Sequence, residues 1–200
     1  MSTTTPAAAT ISTSRIVQTW WPLAASWLIM TVELPMLAAV VARKDFPEIQ
    51  LAAWGVVFPL ALILASPVTM LLAASTTLSK DWAAYRALRR YMFVLAITLT
   101  GVHALLAFTP LFDLLVGQVI GVPAVVVEPA RLGFRIMLPW SFALAYRRFH
   151  YGVLIRFGKT RAVTIGSVTR LAVDFVALTL FYFLLDLPGI AVAAATITAG

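Results

Sequence analysis

Apolar residues run through this chain in six stretches, at about 16–42, 51–78, 91–109, 129–148, 162–185 and 190–200, and most charged residues fall between them. A helix needs roughly 20 apolar residues to cross a hydrocarbon core about 30 Å thick. The first five stretches therefore predict complete transmembrane helices. The sixth supplies only about 16 Å of helix at about 1.5 Å per residue. It predicts a truncated span, as in the first part of a longer protein or in one completed by partner helices. Ahead of Arg15 the chain is Thr, Ser and Ala with one Pro and no charge, a composition that predicts a disordered tail over 1–15. The expected fold is an all-α integral membrane protein, with a transmembrane helical lobe over 16–200.

Proline placement refines these elements. Pro59 and Pro67 both interrupt the second stretch and predict a bent or broken helix there. Pro129 suits the first turn of a fourth helix running to Arg148, with Arg147 and Arg148 as its stop. The small, hydroxylated run AASTTLS over 73–79 suits close packing against another helix. Segment 110–127, with Asp113 its only charge, predicts a connection lying along the membrane interface.

Loop charge sets the expected orientation. The segment KDWAAYRALRR over 80–90 carries Lys80, Arg86, Arg89 and Arg90 against Asp81, and five basic residues follow the fourth stretch: Arg147, Arg148, Arg156, Lys159 and Arg161. The alternate connections are neutral or acidic, so the positive-inside rule puts the N-terminus in the cytoplasm.

Polar residues inside the apolar stretches are the candidate chemistry, because a charge in hydrocarbon is costly and faces a protein interior or a hydrated cavity. Glu33 stands two residues before Pro35, His103 lies in the third stretch, Arg131 and Arg135 are one turn apart in the fourth, and Arg170 and Asp174 are spaced i,i+4 in the fifth. Glu128, three residues before Arg131, can pair with it, and Arg170 with Asp174 can form a self-neutralising ion pair. Counted from Arg43, Arg90, Arg147 and Arg161 respectively, Glu33 lies about 15 Å deep, His103 about 20 Å, Arg135 about 18 Å and Asp174 about 20 Å. One layer near the midplane is where transporters hold substrates and coupling ions.

Composition narrows the classes further. The 200 residues are 62% hydrophobic and 12% charged, too apolar for one soluble core. The net charge of +7 is then a matter of orientation, and no nucleic-acid partner is expected. There is no cysteine and there are two distant histidines, which leaves no thiolate chemistry and no metal-ligand spacing. The run GVLIRFGKT over 152–160 has five residues between its first glycine and Gly-Lys-Thr where a phosphate-binding loop needs four, and no strand precedes it. No catalytic constellation assembles, so neither an enzyme nor a cofactor is expected.

The segment RRFHYGVLIRFGKTRAVTIGSVTRL, together with Glu33 and the basic end at Arg43, LAAWGVVFPLALILASPV in the second stretch and His103 followed by ALLAF, resembles the multidrug and oligosaccharidyl-lipid/polysaccharide exporter superfamily, and within it the progressive ankylosis branch. The resemblance implies a MATE-like transporter of two six-helix bundles around a central cavity, working by alternating access, of which this chain would be the N-terminal lobe. It also implies export of anions such as pyrophosphate, citrate or nucleotide. Arg135 and Arg131 would attract the substrate, with Glu33 and His103 tuning protonation or competing for those arginines, and Arg170 and Asp174 would be ion-pair or coupling candidates for a proton or sodium ion. The expected partners are the lipid bilayer, the anion, and a second lobe or another copy. The expected location is multi-pass in a plasma or inner membrane. A lipid-linked saccharide flippase, a multidrug or cation antiporter, and a nontransporting membrane scaffold are the alternatives.

Overall fold

A computed structural model describes residues 13–200, and the regular structure among them is entirely helical. In chain order the elements are α1 (Thr13–Val41), α2 (Pro47–Leu64), α3 (Ser66–Leu78), α4 (Trp82–Phe108), a short α5 (Leu111–Asp113) continuing into a π-helical turn (Leu114–Val119), α6 (Ala124–Ile136), α7 (Leu138–Arg156), α8 (Thr160–Leu184) and α9 (Gly189–Ala199). Most of the expected tail lies outside the described residues, and its last three residues, Thr13 to Arg15, already belong to α1.

Three of these helices, α2, α4 and α8, are long and apolar enough to cross a membrane. Only 28%, 22% and 28% of their most apolar stretches are buried within the chain, so most of that surface needs lipid or other helices to cover it. By length and composition this is a membrane protein.

The second and fourth stretches are both broken, and in matching places. Ala65, at φ −84° and ψ 1°, separates α2 from α3 just ahead of Pro67, whereas Pro59 sits inside α2 without ending it. The fourth stretch is not the continuous helix over 129–148 that its hydropathy predicts. Met137, at φ −75° and ψ 2°, divides it into α6 and α7, because Pro139 has no N–H to continue the ladder. Pro129 falls within α6 instead of its first turn, since the helix already begins after Pro123. α2 packs on α6 and α3 on α7, so the two broken helices lie side by side, half against half.

Two further boundaries move outward. The basic segment expected as a loop over 80–90 is helical from Trp82, where Asp81 accepts the Ala84 N–H at 2.8 Å as an N-cap and no Gly or Pro follows until Gly101. α7 continues past Arg147 and Arg148 to Arg156, so those two arginines are half-buried in a helix and do not terminate one. What holds α7 in place is a close approach to α3. A Cβ at Gly152 would lie 1.8 Å from Ser75 Oγ and 2.5 Å from the Leu72 carbonyl, and Thr76 Oγ1 donates to the Gly152 carbonyl at 3.3 Å.

Candidate functional site

The buried face of α8 repeats at Val163, Ser167, Arg170, Asp174, Ala177 and Leu178, an i,i+3/i+4 stripe in which two of the inward positions are ionisable. α8 lies against α1, whose Glu33 and Leu37 are also buried. The result is a triad. Arg170 Nη1 donates to Glu33 Oε1 at 2.9 Å and its Nη2 donates to Glu33 Oε2, the planar two-pronged fit of a guanidinium to a carboxylate. The same Nη1 lies 3.1 Å from Asp174 Oδ2, one turn further along α8.

These side chains are 7%, 6% and 0% exposed for Arg170, Glu33 and Asp174. At that burial an unpaired charge would be prohibitive, and the fork to Glu33 is what makes Arg170 tolerable. Asp174 is held less completely. Its contact with Arg170 is close enough for an ion pair but not aligned as a hydrogen bond, so both its carboxylate oxygens are buried without a hydrogen-bond partner. Gly200, at the end of α9, packs directly over it, where a Cβ would come within 2.0 Å of Oδ1. Asp174 is the group of the triad with bonding capacity to spare.

Two carboxylates and one guanidinium leave the triad formally negative. Arg147 on α7 lies within electrostatic range of both Glu33 and Arg170, and Arg148 within range of Arg170. Among the described residues neither arginine has a carboxylate at ion-pair distance, and Arg148 Nε is buried without a hydrogen-bond partner. With them the cluster carries three guanidinium groups against two carboxylates, an excess of one positive charge. By hydropathy alone, Arg147 and Arg148 are expected as a cytoplasmic stop. The signal that could have found them is the buried periodicity Leu144, Ala145, Phe149 and Gly152, which runs straight past them.

The other expected site residues lie elsewhere. His103 is fully buried where α4 meets the α6–α7 break. Its Nε2 faces the Phe134 carbonyl at 2.9 Å and so carries the proton, leaving Nδ1 to accept from the Ser141 hydroxyl at 3.0 Å. Phe134 belongs to the last turn of α6, whose carbonyls lose helical partners at the break, and Thr198 Oγ1 donates to Ile136 there at 3.4 Å. His103 thus secures a broken helix.

Arg131 pairs with Asp113 and lies 3.6 Å from Glu128, with its guanidinium 5.5 Å from the Phe112 ring centre. Among the described residues Arg135 has no carboxylate partner. Its Nε donates to the Ala107 carbonyl at 3.0 Å, and its guanidinium stands 5.2 Å from the centre of the Phe108 ring. It also lines a cleft of about 380 Å³ with Gln50, Glu128, Leu132 and Ile190. The expected competition of Glu33 for Arg131 or Arg135 is overturned, because Arg170 occupies both Glu33 oxygens. The single polar layer resolves into a triad, a helix-break clamp and a cleft.

Among the described residues, no three His, Asp or Glu side chains converge as metal ligands. Compared with family models, curated proteins and solved structures, the chain matches none.

Proposed function

We propose that this chain is one lobe of a multi-pass transporter in a plasma or inner membrane, moving small anions outward by alternating access. The observation that carries this reading is the Glu33–Arg170–Asp174 triad, buried about halfway along α8 in a chain built to sit in lipid. Ionisable groups at such depth are rare and serve ion or substrate paths. In this reading Asp174 is the coupling group. Protonation, or a bound sodium ion, neutralises it without disturbing the Glu33–Arg170 fork, and the cluster becomes more positive by one charge. An anion drawn toward Arg147 and Arg148 would reverse that change, so the charge on Asp174 sets how strongly the cluster attracts its substrate.

Arg135 is the residue of last contact, since it lines a cleft with Gln50 and Pro188 at the end of the lobe that faces outward under a cytoplasmic N-terminus, and among the described residues it has no carboxylate at ion-pair distance. The paired breaks at Ala65 and Met137 supply hinges about which the α3–α7 halves tilt against the α2–α6 halves. A second lobe, or a second copy of this one, closes the path on the opposite side.

The test is transport in proteoliposomes holding the purified protein, with labelled pyrophosphate, citrate and nucleotide in turn, under an imposed pH or sodium gradient. The expected result is gradient-driven movement of at least one of these anions. Flux of all three no greater than in protein-free liposomes would overturn the reading and leave a scaffold role; movement of a lipid-linked saccharide or of a cation instead would assign a different cargo.

A further inference from the structure

The N-terminal part of α4 carries Arg86, Arg89 and Arg90, all exposed and, among the described residues, none within ion-pair distance of a carboxylate. Their placement is unfavourable by itself. Arg86 is three and four residues from the other two, so like charges stack on one helical face. Asp81 is the one acid nearby, and it is occupied in capping the Ala84 N–H. The arrangement calls for an anion supplied from outside the chain.

Below the arginines the same face turns apolar. A groove of about 430 Å³ runs from Trp82 past the three guanidinium groups to Phe93, Val94 and Ile97. Val94 and Ile97 are 58% and 63% exposed, whereas the neighbouring face of the helix, at Met92, Ala96 and His103, is fully buried. The orientation of the groove is therefore fixed by the core. Arg89 stands 5.7 Å from the centre of the Phe93 ring, at the junction of the charged and apolar halves. From Arg90 to Ile97 the apolar part extends about 10 Å down the helix axis.

We propose that this groove is a binding site for an acidic phospholipid, the headgroup phosphate held by Arg86, Arg89 and Arg90 and an acyl chain lying along Phe93, Val94 and Ile97. The inference rests on the membrane reading of α4. A soluble anion would satisfy the arginines but leave the apolar half uncovered, whereas a phospholipid fills both. Trp82, 66% exposed at the head of the groove, belongs at the interface where indole rings settle. Under the cytoplasmic N-terminus expected from the loop charges, this end of α4 faces the leaflet that carries anionic lipid.

Trp82 reports on the site. The full chain is reconstituted in phosphatidylcholine bilayers doped with brominated phosphatidylglycerol or with brominated phosphatidylcholine. The Trp82 emission is taken as the difference between the wild-type protein and Trp82→Phe. The expected result is half-maximal quenching at about tenfold less brominated phosphatidylglycerol than brominated phosphatidylcholine, a preference that weakens with salt. Arg86→Gln/Arg89→Gln/Arg90→Gln should abolish the preference while Trp82 is still quenched by both lipids, which shows the face still meets the bilayer. Equal quenching of wild-type Trp82 by the two lipids would overturn the proposal, as would an unchanged preference in the triple variant. Absence of quenching by either would show that protein covers this face, and loss of the preference on adding inorganic phosphate, beyond a chloride control of equal ionic strength, would show a free-anion site instead. None of these outcomes depends on transport.

Discussion

Arg170 on α8 reaches across to Glu33 on α1, Nη1 to Oε1 at 2.9 Å, and joins residues 137 positions apart in the sequence. This contact ties the first long helix to the last one, and its energetic logic makes a sharp prediction. Arg170→Ala leaves two buried carboxylates without their counter-charge and should destabilise the fold by about 3–5 kcal/mol. Glu33→Gln with Asp174→Asn in the Arg170→Ala background should recover most of the loss. Denaturation in detergent checks both; additive effects of the three substitutions would show that the triad is not energetically coupled.

His103→Ala removes the proton donor to the Phe134 carbonyl and the acceptor for Ser141, both in the buried α6–α7 break. Each orphaned group costs roughly 1–3 kcal/mol. The variant should lose thermal stability and show faster amide exchange around residues 134–141. Unchanged exchange there would separate His103 from the integrity of the break.

At Gly152 the constraint is steric. A methyl group would meet Ser75 Oγ at 1.8 Å and the Leu72 backbone at 2.5 Å, so Gly152→Ala should force α3 and α7 apart at a cost of about 1–3 kcal/mol. Ser75→Ala removes one obstacle and leaves the backbone one, so the double variant should regain only part of the stability. Full rescue would place the clash entirely on the hydroxyl.

Arg135→Ala should abolish anion movement in proteoliposomes with little change in stability, because Arg135 gives up one backbone hydrogen bond and a ring contact but no ion pair. Arg135→Lys keeps the charge without the two-pronged fit to phosphate or carboxylate and should retain weakened transport. Normal transport by well-folded Arg135→Ala protein would remove this residue from the substrate path.

Topology has its own test, since the chain contains no cysteine. A single cysteine in place of Glu48 should react with an impermeant reagent from outside, and one in place of Arg161 only after permeabilisation. The reverse pattern would invert the proposed orientation.

Much of this arrangement is written in local chemistry. Runs of apolar residues dictate helices because a chain in lipid must satisfy its own backbone, and the break ahead of Pro67 follows from its missing donor, whereas the one ahead of Pro139 is not expected from hydropathy and Pro59 and Pro129 leave their helices unbroken. The i,i+4 spacing of Arg170 and Asp174 puts both on one face of a helix before anything is folded. The partner of Glu33 is a different matter. Helical rise gives its depth but not the rotation of α1 against α8, and depth alone made Arg135 as good a candidate as Arg170. The ends of α4 and α7 also escaped a hydropathy reading, since charged residues within a helix look like a loop until packing shows which side they face. Composition and periodicity determined that the chain is helical and suited to a membrane, because those follow from each residue's own solvation and geometry. Which charges meet was decided by the tertiary structure, because pairing depends on the relative rotation of whole helices, set by side-chain packing such as Ser75 against Gly152 and Gly200 over Asp174.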